Sequence, residues 1–313
     1  MPKKSIFLCL EIVSCVLAAI LLAGCAGSRP NIDIPSQRPS TELPITQPRV
    51  ALVLGGGGVR GFAHIGVLKV LHEAGVPIDL MAGTSAGSIV GALYADQGNI
   101  VAVENTAKSA KLGDILDFNN LPQSDGVLKG YKLQKFLLEH MQAQTFDQLK
   151  IPLITVSTDL KTGAPVEIDN GPIAPAVQAS AAIPGLFDPV SLYGYTLIDG
   201  GMSDPVAVNF VQAYHPKIII AVDVAEQLPS TLPTTAEGIY NRAFIIMRLN
   251  MTSLSAENAD VLILPDVGVT HIFDINKKDA LIKAGEDAAK KALPEIKRLL
   301  KERGIKLNPP TKT

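Results

Sequence analysis

Between residues 49 and 97 the chain passes twice from a short apolar run, through glycines, into a helical apolar repeat, and this doubled pattern constrains the fold more than any other feature. Arg49-Val50-Ala51-Leu52-Val53-Leu54 shows no polar alternation after its first residue, as expected of a strand covered on both faces. Gly55-Gly56-Gly57-Gly58-Val59-Arg60-Gly61 follows, and then residues 62–74, where Ile65, Val67, Leu68, Val70 and Leu71 predict a helix that Gly75 and Pro77 end. The second passage comes at once: Ile78-Asp79-Leu80-Met81-Ala82 leads through Gly83-Thr84-Ser85-Ala86-Gly87 into a small-residue helix over 88–97, closed by Gly98. Further strands are expected over 151–158, 164–168, 196–198, 217–224 and 260–264, and further helices over 132–141 and 279–303. This alternation predicts an α/β layered domain with a largely parallel sheet, and no internal repeat is visible.

Composition removes several classes of chemistry. With 47% hydrophobic and 19% charged residues in 313, the chain is neither disordered nor fibrous. Its 28 basic against 30 acidic residues leave no excess for a polyanion, so no nucleic-acid partner is expected. Cys9, Cys15 and Cys25 are the only cysteines, which excludes a thiol nucleophile, a disulfide core and a Cys-ligated metal from everything beyond residue 25. No metal and no cofactor is expected, and the sequence specifies no oligomeric state.

The N-terminus reads as an address. Lys3 and Lys4 precede an apolar run from Ile6 to Ala23, the charged start and hydrophobic middle of a secretory signal. Glu11 inside that run would cost about 2–3 kcal/mol at a bilayer centre, which disfavours a permanent span. The run ends in Leu22-Ala23-Gly24-Cys25, which resembles the bacterial lipobox; the resemblance implies removal of residues 1–24 and lipidation of Cys25. Ala26 stands where an inner-membrane retention signal would carry Asp, so the expected location is the cell envelope, lipid-anchored at the outer membrane. Acyl chains at about 0.8 kcal/mol per buried CH2 would make that tether essentially permanent. Pro30, Pro35, Pro39, Pro44 and Pro48 sit among polar residues without an apolar period, so residues 25–48 are expected to form the lipidated cysteine and an extended linker. The domain proper is expected over 49–313.

Gly83-Thr84-Ser85-Ala86-Gly87 is the most informative segment for chemistry. A G-x-S-x-G sequence between a strand and a helix holds its serine on a sharp bend with the hydroxyl exposed, and Ser85 would sit at the positive end of the helix dipole. A tight turn with a capping serine is the competing reading. The glycine run at 55–61 could equally be a phosphate cradle or a dinucleotide loop. A phosphate loop requires Lys then Ser or Thr after the last glycine, whereas Gly61 is followed by Phe62 and Ala63. A dinucleotide loop requires an acidic residue closing the second strand, whereas Asp79 precedes the apolar end of that strand. Two adjacent strand ends, one with a nucleophile bend and one with free backbone amides, suit an oxyanion hole better.

The base is less legible. His64, His72, His140, His215 and His271 all remain open, though none stands at a turn after a strand. Asp199-Gly200-Gly201 does stand there, after Thr196-Leu197-Ile198, although an ordinary Asp-Gly turn would look the same.

Taken together, the glycine loop, G-T-S-A-G and D-G-G, in this order and spacing, closely resemble the patatin-like phospholipase family. The likeness extends through Phe62-Ala63-His64-Ile65-Gly66-Val67-Leu68, Thr158-Asp159-Leu160, Ser180-Ala181-Ala182-Ile183-Pro184-Gly185 and Gly285, over about residues 49–300. The resemblance implies a three-layer α/β/α patatin-like fold with a mainly parallel central sheet, and a Ser–Asp dyad that hydrolyses lipid acyl esters. Residue by residue, it makes Ser85 the nucleophile and Asp199 the base. It places the oxyanion donors on Gly56, Gly57, Gly58 and Gly61, with Arg60, Gly83, Gly87, Gly200 and Gly201 as motif positions and Arg60 positioning the loop. Two departures stand out: Gly55 occupies a place where many members have Asp, and Asp204-Pro205-Val206 replaces the common Asn-x-Pro.

The expected activity is therefore that of a phospholipase A, lysophospholipase or carboxylesterase acting on lipid or ester substrates, attached to a membrane through its N-terminal lipid. The alternative is a non-catalytic envelope lipoprotein that binds acyl chains or a partner in the same cleft. Residues 111–130 and 225–237 are the long connections, either a plain connection or a lid. Residues 277–303, with nine basic and five acidic side chains, read as a solvated helix face, and the lack of tryptophan leaves the lipid tether as the main membrane contact.

Overall fold

The computed structural model describes residues 29–39, 47–118, 126–270 and 274–309. The expected signal segment at 1–24, the lipidated Cys25, linker residues 26–28 and 40–46, and His271 lie outside the described residues.

Eight strands form one sheet: β1 (Val50–Leu54), β2 (Leu80–Thr84), β3 (Leu153–Asp159), β4 (Pro165–Ile168), β5 (Val190–Leu192), β6 (Tyr195–Asp199), β7 (Ile218–Val222) and β8 (Val261–Ile263). Their order is β5-β6-β3-β2-β1-β7-β8, with β4 also paired to β3. The block β3-β2-β1-β7-β8 is parallel throughout, and β4, β5 and β6 form an antiparallel flank. The apolar run of β1 divides by parity: Val50, Leu52 and Leu54 enter the core on one face, Ala51 and Val53 the core on the other. Side chains alternate across a strand, so burial on both faces demands the continuous apolar run seen in the sequence.

The helices are α1 (Phe62–Glu73), α2 (Ala86–Gln97), α3 (Ile100–Ser109), α4 (Leu112–Ile115), α5 (Tyr131–His140), α6 (Ile173–Ser180), α7 (Val208–Gln212), α8 (Ala236–Ser255) and α9 (Lys278–Glu302). Side chains of α1, α2, α3, α5, α6 and α9 fill the larger core. Val208 and Val211 of α7, with Ala256 just after α8, fill the smaller one behind the sheet. This is the three-layer α/β/α arrangement with a mainly parallel sheet. The helix α1 crosses α9 with backbones nearly touching: a Cβ on Gly66 would lie 1.9 Å from the Ile282 carbonyl oxygen, and one on Gly285 would lie 1.9 Å from that of Ala63. Among the described residues no helix is long and apolar enough to cross a membrane.

Differences from the sequence reading have local causes. The three-residue strand β5 is too short to show alternation. The twenty-residue helix α8 buries only Thr252 and Ser255, while Ile239, Tyr240, Phe244, Met247 and Leu254 are exposed. The connection expected over 111–130 contains α4 and ends in a cap: Asp117 accepts from the amides of Gly130, Tyr131 and Lys132 at 2.7, 2.9 and 3.2 Å, fixing the start of α5. Described residues of the proline-rich segment lie on the domain, with Ile32 and Ile34 against the core, Arg38 paired to Asp169 and the Pro39 carbonyl accepting from Asn170.

Candidate active site

Strand β2 delivers Ser85 to the start of α2 with φ 54° and ψ −120°, a positive-φ conformation unusual for a residue with a side chain. Tight packing enforces it. A Cβ on Gly87 would lie 2.0 Å from the Leu54 carbonyl oxygen, and one on Gly83 would lie 2.6 Å from the backbone of Ser88. The Ser85 amide donates to Ser180 Oγ at 2.9 Å, and that hydroxyl donates onward to the Val156 carbonyl at 2.6 Å. The Ser85 carbonyl accepts from Ser88 Oγ at 2.7 Å, so the backbone on both sides of the hydroxyl is fixed.

Ser85 Oγ donates to Asp199 Oδ2 at 2.6 Å, and both residues are buried, at 5% and 4% exposure. Asp199 ends β6, whose register pairs it with Ser157, while Thr84 of β2 pairs with Val156 on the other side of β3. The two side chains, 114 residues apart in sequence, therefore meet across a single intervening strand. Asp199 is held by its amide on the Ala182 carbonyl at 2.8 Å, by Thr158 Oγ1 on its own carbonyl at 3.0 Å, and by the Gly201 amide on Oδ1 at 2.8 Å. Gly200 is required by space, since a Cβ there would fall 2.1 Å from the Val156 carbonyl oxygen. Burial pushes the Asp199 carboxyl up to about 6, against the opposing pull of the hydrogen bonds from Ser85 and Gly201 and the charge of Arg248.

The glycine loop crosses directly over Ser85, and a Cβ on Gly56 would lie 3.2 Å from that of Ser85. Its first amide, Gly55, donates to the Val222 carbonyl at 2.9 Å, and the Gly55 carbonyl accepts from His64 Nε2 at 2.7 Å. One of the four expected donors is corrected here. The Gly56 amide is committed to the Pro205 carbonyl at 3.1 Å, so Gly56 contributes close approach rather than a free N–H. Gly61, at the end of the 3-10 turn Gly58–Gly61, is also tightly packed, since a Cβ there would lie 2.6 Å from that of Ala86. Among the described residues the amides of Gly57 and Gly58 meet no acceptor, and neither does that of Ala86, the first in α2, which the sequence reading did not single out. Arg60 is buried and binds the Val224 and Thr270 carbonyls, each at 3.1 Å, and Glu226 at 3.3 Å, tying the loop to the exit of β7.

The departures from the family pattern find places here. A Cβ on Gly55 would lie 3.0–3.1 Å from the carbonyl oxygens of Val222 and Pro205 and from Val206, so a larger residue would require the loop to shift. In the Asp204-Pro205 turn, the Asp204 carbonyl accepts from Thr84 Oγ1 at 3.1 Å and the Pro205 carbonyl from Gly56.

None of the described histidines meets Ser85. His64 Nε2 donates to the Gly55 carbonyl, and burial pushes its ring down to about 4, so it is neutral. His72 contacts the Tyr94 hydroxyl at 2.9 Å, and His140 contacts the Phe136 carbonyl at 2.8 Å. Arg248, reaching in from α8, donates to the Gly56 carbonyl and lies 3.8 Å from Asp223; no sequence pattern marked it. Among the described residues no group of three His, Cys, Asp or Glu side chains could hold a metal ion.

A cavity of about 170 Å³ opens beside Ser85, lined by Ile89, Leu93, Leu112, Leu116, Leu133 and Phe136, with Gly58 at its edge. The segment around α4 thus forms one wall. A hydroxyl hydrogen-bonded to a carboxylate, free amides nearby and an apolar chamber are parts with which acyl transfer can be carried out.

A family model for patatin-like phospholipases matches residues 52–211. An uncharacterized NTE family protein of Mycobacterium tuberculosis is 37% identical over 180 residues, covering 57% of this chain and 50% of its own. Lysophospholipase nte1 of Aspergillus fumigatus is 32% identical over 179 residues, covering 56% of this chain and 12% of its own. The chain thus spans half the length or less of these relatives. The crystal structure of VipD from Legionella pneumophila superposes with a TM-score of 0.55 at 15% identity, over 88% of this chain and 72% of that one, a likeness of fold.

Proposed function

Because the chain belongs to the patatin-like phospholipase family, we propose that it is a lipid acyl hydrolase in which Ser85 attacks the ester carbonyl and Asp199 is the base. The observation that carries this reading is the 2.6 Å hydrogen bond from Ser85 Oγ to the buried Asp199, at the mouth of an apolar cavity suited to an acyl chain. The Ser85 proton passes to Asp199 Oδ2 as Oγ bonds to the carbonyl carbon, and the carbonyl π pair moves onto oxygen. The free amides of Gly57, Gly58 and Ala86 are the donors available to that oxyanion. Collapse breaks the ester C–O bond, and the departing alcohol takes the proton from Asp199. Water then attacks the acyl-serine by the same route and releases the fatty acid. A carboxylate near 4 is a weak base for a hydroxyl, and burial that lifts Asp199 to about 6 brings it closer to the task.

In this reading the lipidated Cys25 holds the domain at the envelope, within reach of membrane lipid. The name of the Aspergillus relative, a lysophospholipase, favours single-chain phospholipids as substrates.

The test is hydrolysis of a medium-chain chromogenic ester and of defined phospholipids and lysophospholipids, together with labelling by a fluorophosphonate. Ser85→Ala should lose about 10⁴-fold or more and all labelling, and Asp199→Asn about 10³-fold or more, with the fold kept. A wild-type protein that binds acyl chains but is neither labelled nor active would establish the non-catalytic alternative. Mass spectrometry of the same preparation for diacylglyceryl on Cys25 tests the anchor, and an unmodified Cys25 refutes it.

A further inference from the structure

The glycine loop contains two consecutive peptide groups that are held in different ways. The Gly55–Gly56 peptide is pinned at both ends, its carbonyl by His64 and its amide by the Pro205 carbonyl. The Gly56–Gly57 peptide is held at its carbonyl by the Arg248 guanidinium, and its amide meets no acceptor among the described residues. In a planar trans peptide the C=O and N–H point in opposite directions, so fixing one fixes the other. With glycine at both positions, no side chain restricts rotation of this peptide.

Arg248 is poorly explained as packing. It lies on α8, a helix that buries only Thr252 and Ser255 and leaves Ile239, Tyr240, Phe244 and Met247 exposed, so Arg248 is more enclosed than most of the apolar side chains around it. Its side chain is mostly buried, and among the described residues the one carboxylate paired with it, Asp223, is 3.8 Å away, a loose contact, while the guanidinium donates to the loop carbonyl.

We propose that Arg248 is a positioning residue for the oxyanion hole: its hold on the Gly56 carbonyl keeps the Gly57 N–H turned away from it and available to the developing oxyanion. This assignment rests on the hydrolase reading. The contact is a single N–H to a single carbonyl oxygen, so a lysine in the same place can replace it in part, whereas a neutral isostere cannot. A second consequence follows from charge. Around Asp199 stand the Ser85 hydroxyl, the Gly201 amide and the Arg248 charge, and Arg248 in turn faces Asp223 and Arg60, the latter paired with Glu226. Removing Arg248 takes away a cation that favours ionised Asp199.

The experiment compares wild type, Arg248→Met and Arg248→Lys on a soluble chromogenic ester, with active sites counted by fluorophosphonate titration and fold checked by circular dichroism. Arg248→Met should lower kcat per active site by about 10²–10³-fold, the effect of losing one oxyanion donor, with KM changed by less than about 2-fold. Arg248→Lys should stay within about 10-fold of wild type. The acid limb of kcat/KM should move to higher pH in Arg248→Met and return towards its original place in Arg248→Lys. A kcat per active site within about 3-fold of wild type in Arg248→Met overturns the proposal, as does a folded lysine variant as slow as the methionine one. If Arg248→Met does not fold, Arg248→Leu takes its place with the same criteria. A wild-type protein inert to esters and probe overturns the hydrolase reading itself, and the role assigned to Arg248 with it.

Discussion

Replacing Ser85 by glycine is expected to inactivate the protein and yet leave it more stable than replacement by alanine. The backbone at Ser85 has φ 54° and ψ −120°, a region costly for any residue with a Cβ and open to glycine. Such strain amounts to about 1–3 kcal/mol. Ser85→Ala and Ser85→Gly both remove the 2.6 Å hydrogen bond to Asp199, so its loss cancels between them. Only glycine relieves the strain, and it gives back about 0.5–1 kcal/mol through the greater freedom of the unfolded chain. The net difference centres near about 1 kcal/mol in favour of glycine. For a domain of this size that corresponds to a melting temperature about 2–4 °C above that of the alanine variant. Differential scanning calorimetry of both variants at one pH makes the comparison, since Asp199 loses the same hydroxyl in each. A glycine variant melting at or below the alanine variant would refute the idea that packing around Gly83 and Gly87 holds the serine in a strained bend.

Three further outcomes are expected. Asp199 must be ionised to accept a proton and its carboxyl is raised to about 6, so kcat/KM for a soluble ester should climb as pH rises through about 6; a profile flat from pH 5 to 8 would contradict this. The stability effect has the opposite sign. A carboxyl whose folded value lies above its unfolded value near 4 favours folding when protonated, and that contribution is lost as pH rises from about 4 to about 6, so urea midpoints of Asp199→Asn should fall less over this range than those of wild type, where Asp204, also raised to about 6, contributes equally to both. Finally, Gly66→Ala and Gly285→Ala should each destabilise the domain by about 3 kcal/mol, at the upper end for overpacking, because the obstructing atoms are backbone carbonyls of the facing helix; urea midpoints unchanged by either would refute the close crossing of α1 and α9.

What could be read in advance was whatever depends on neighbours in sequence. The run at Val50–Leu54, the glycines around Ser85 and the stop at Gly75 act within a few residues, so local pattern sufficed for β1, the bend and α1. Helix α8 escaped notice because its apolar residues are spread around the helix rather than set on one face, and β5 because three residues carry no period. Asp199 was legible as a strand-end aspartate, but nothing local separated it from an ordinary turn or from the five histidines. The fold brings Asp199 to Ser85 by setting β6 alongside β3, and it holds His64 on the Gly55 carbonyl instead.

The sequence alone determined the alternating layers, the serine on its bend and the absence of any thiol beyond residue 25, since each follows from residue type and short-range order. Tertiary structure decided which amides remain free and which side chains hold the loop. The Gly56 amide is taken by Pro205 and the Gly56 carbonyl by Arg248, partners 149 and 192 residues distant along the chain. A backbone hydrogen bond depends on where two peptides lie in space, and no glycine in a sequence shows whether its N–H has been claimed.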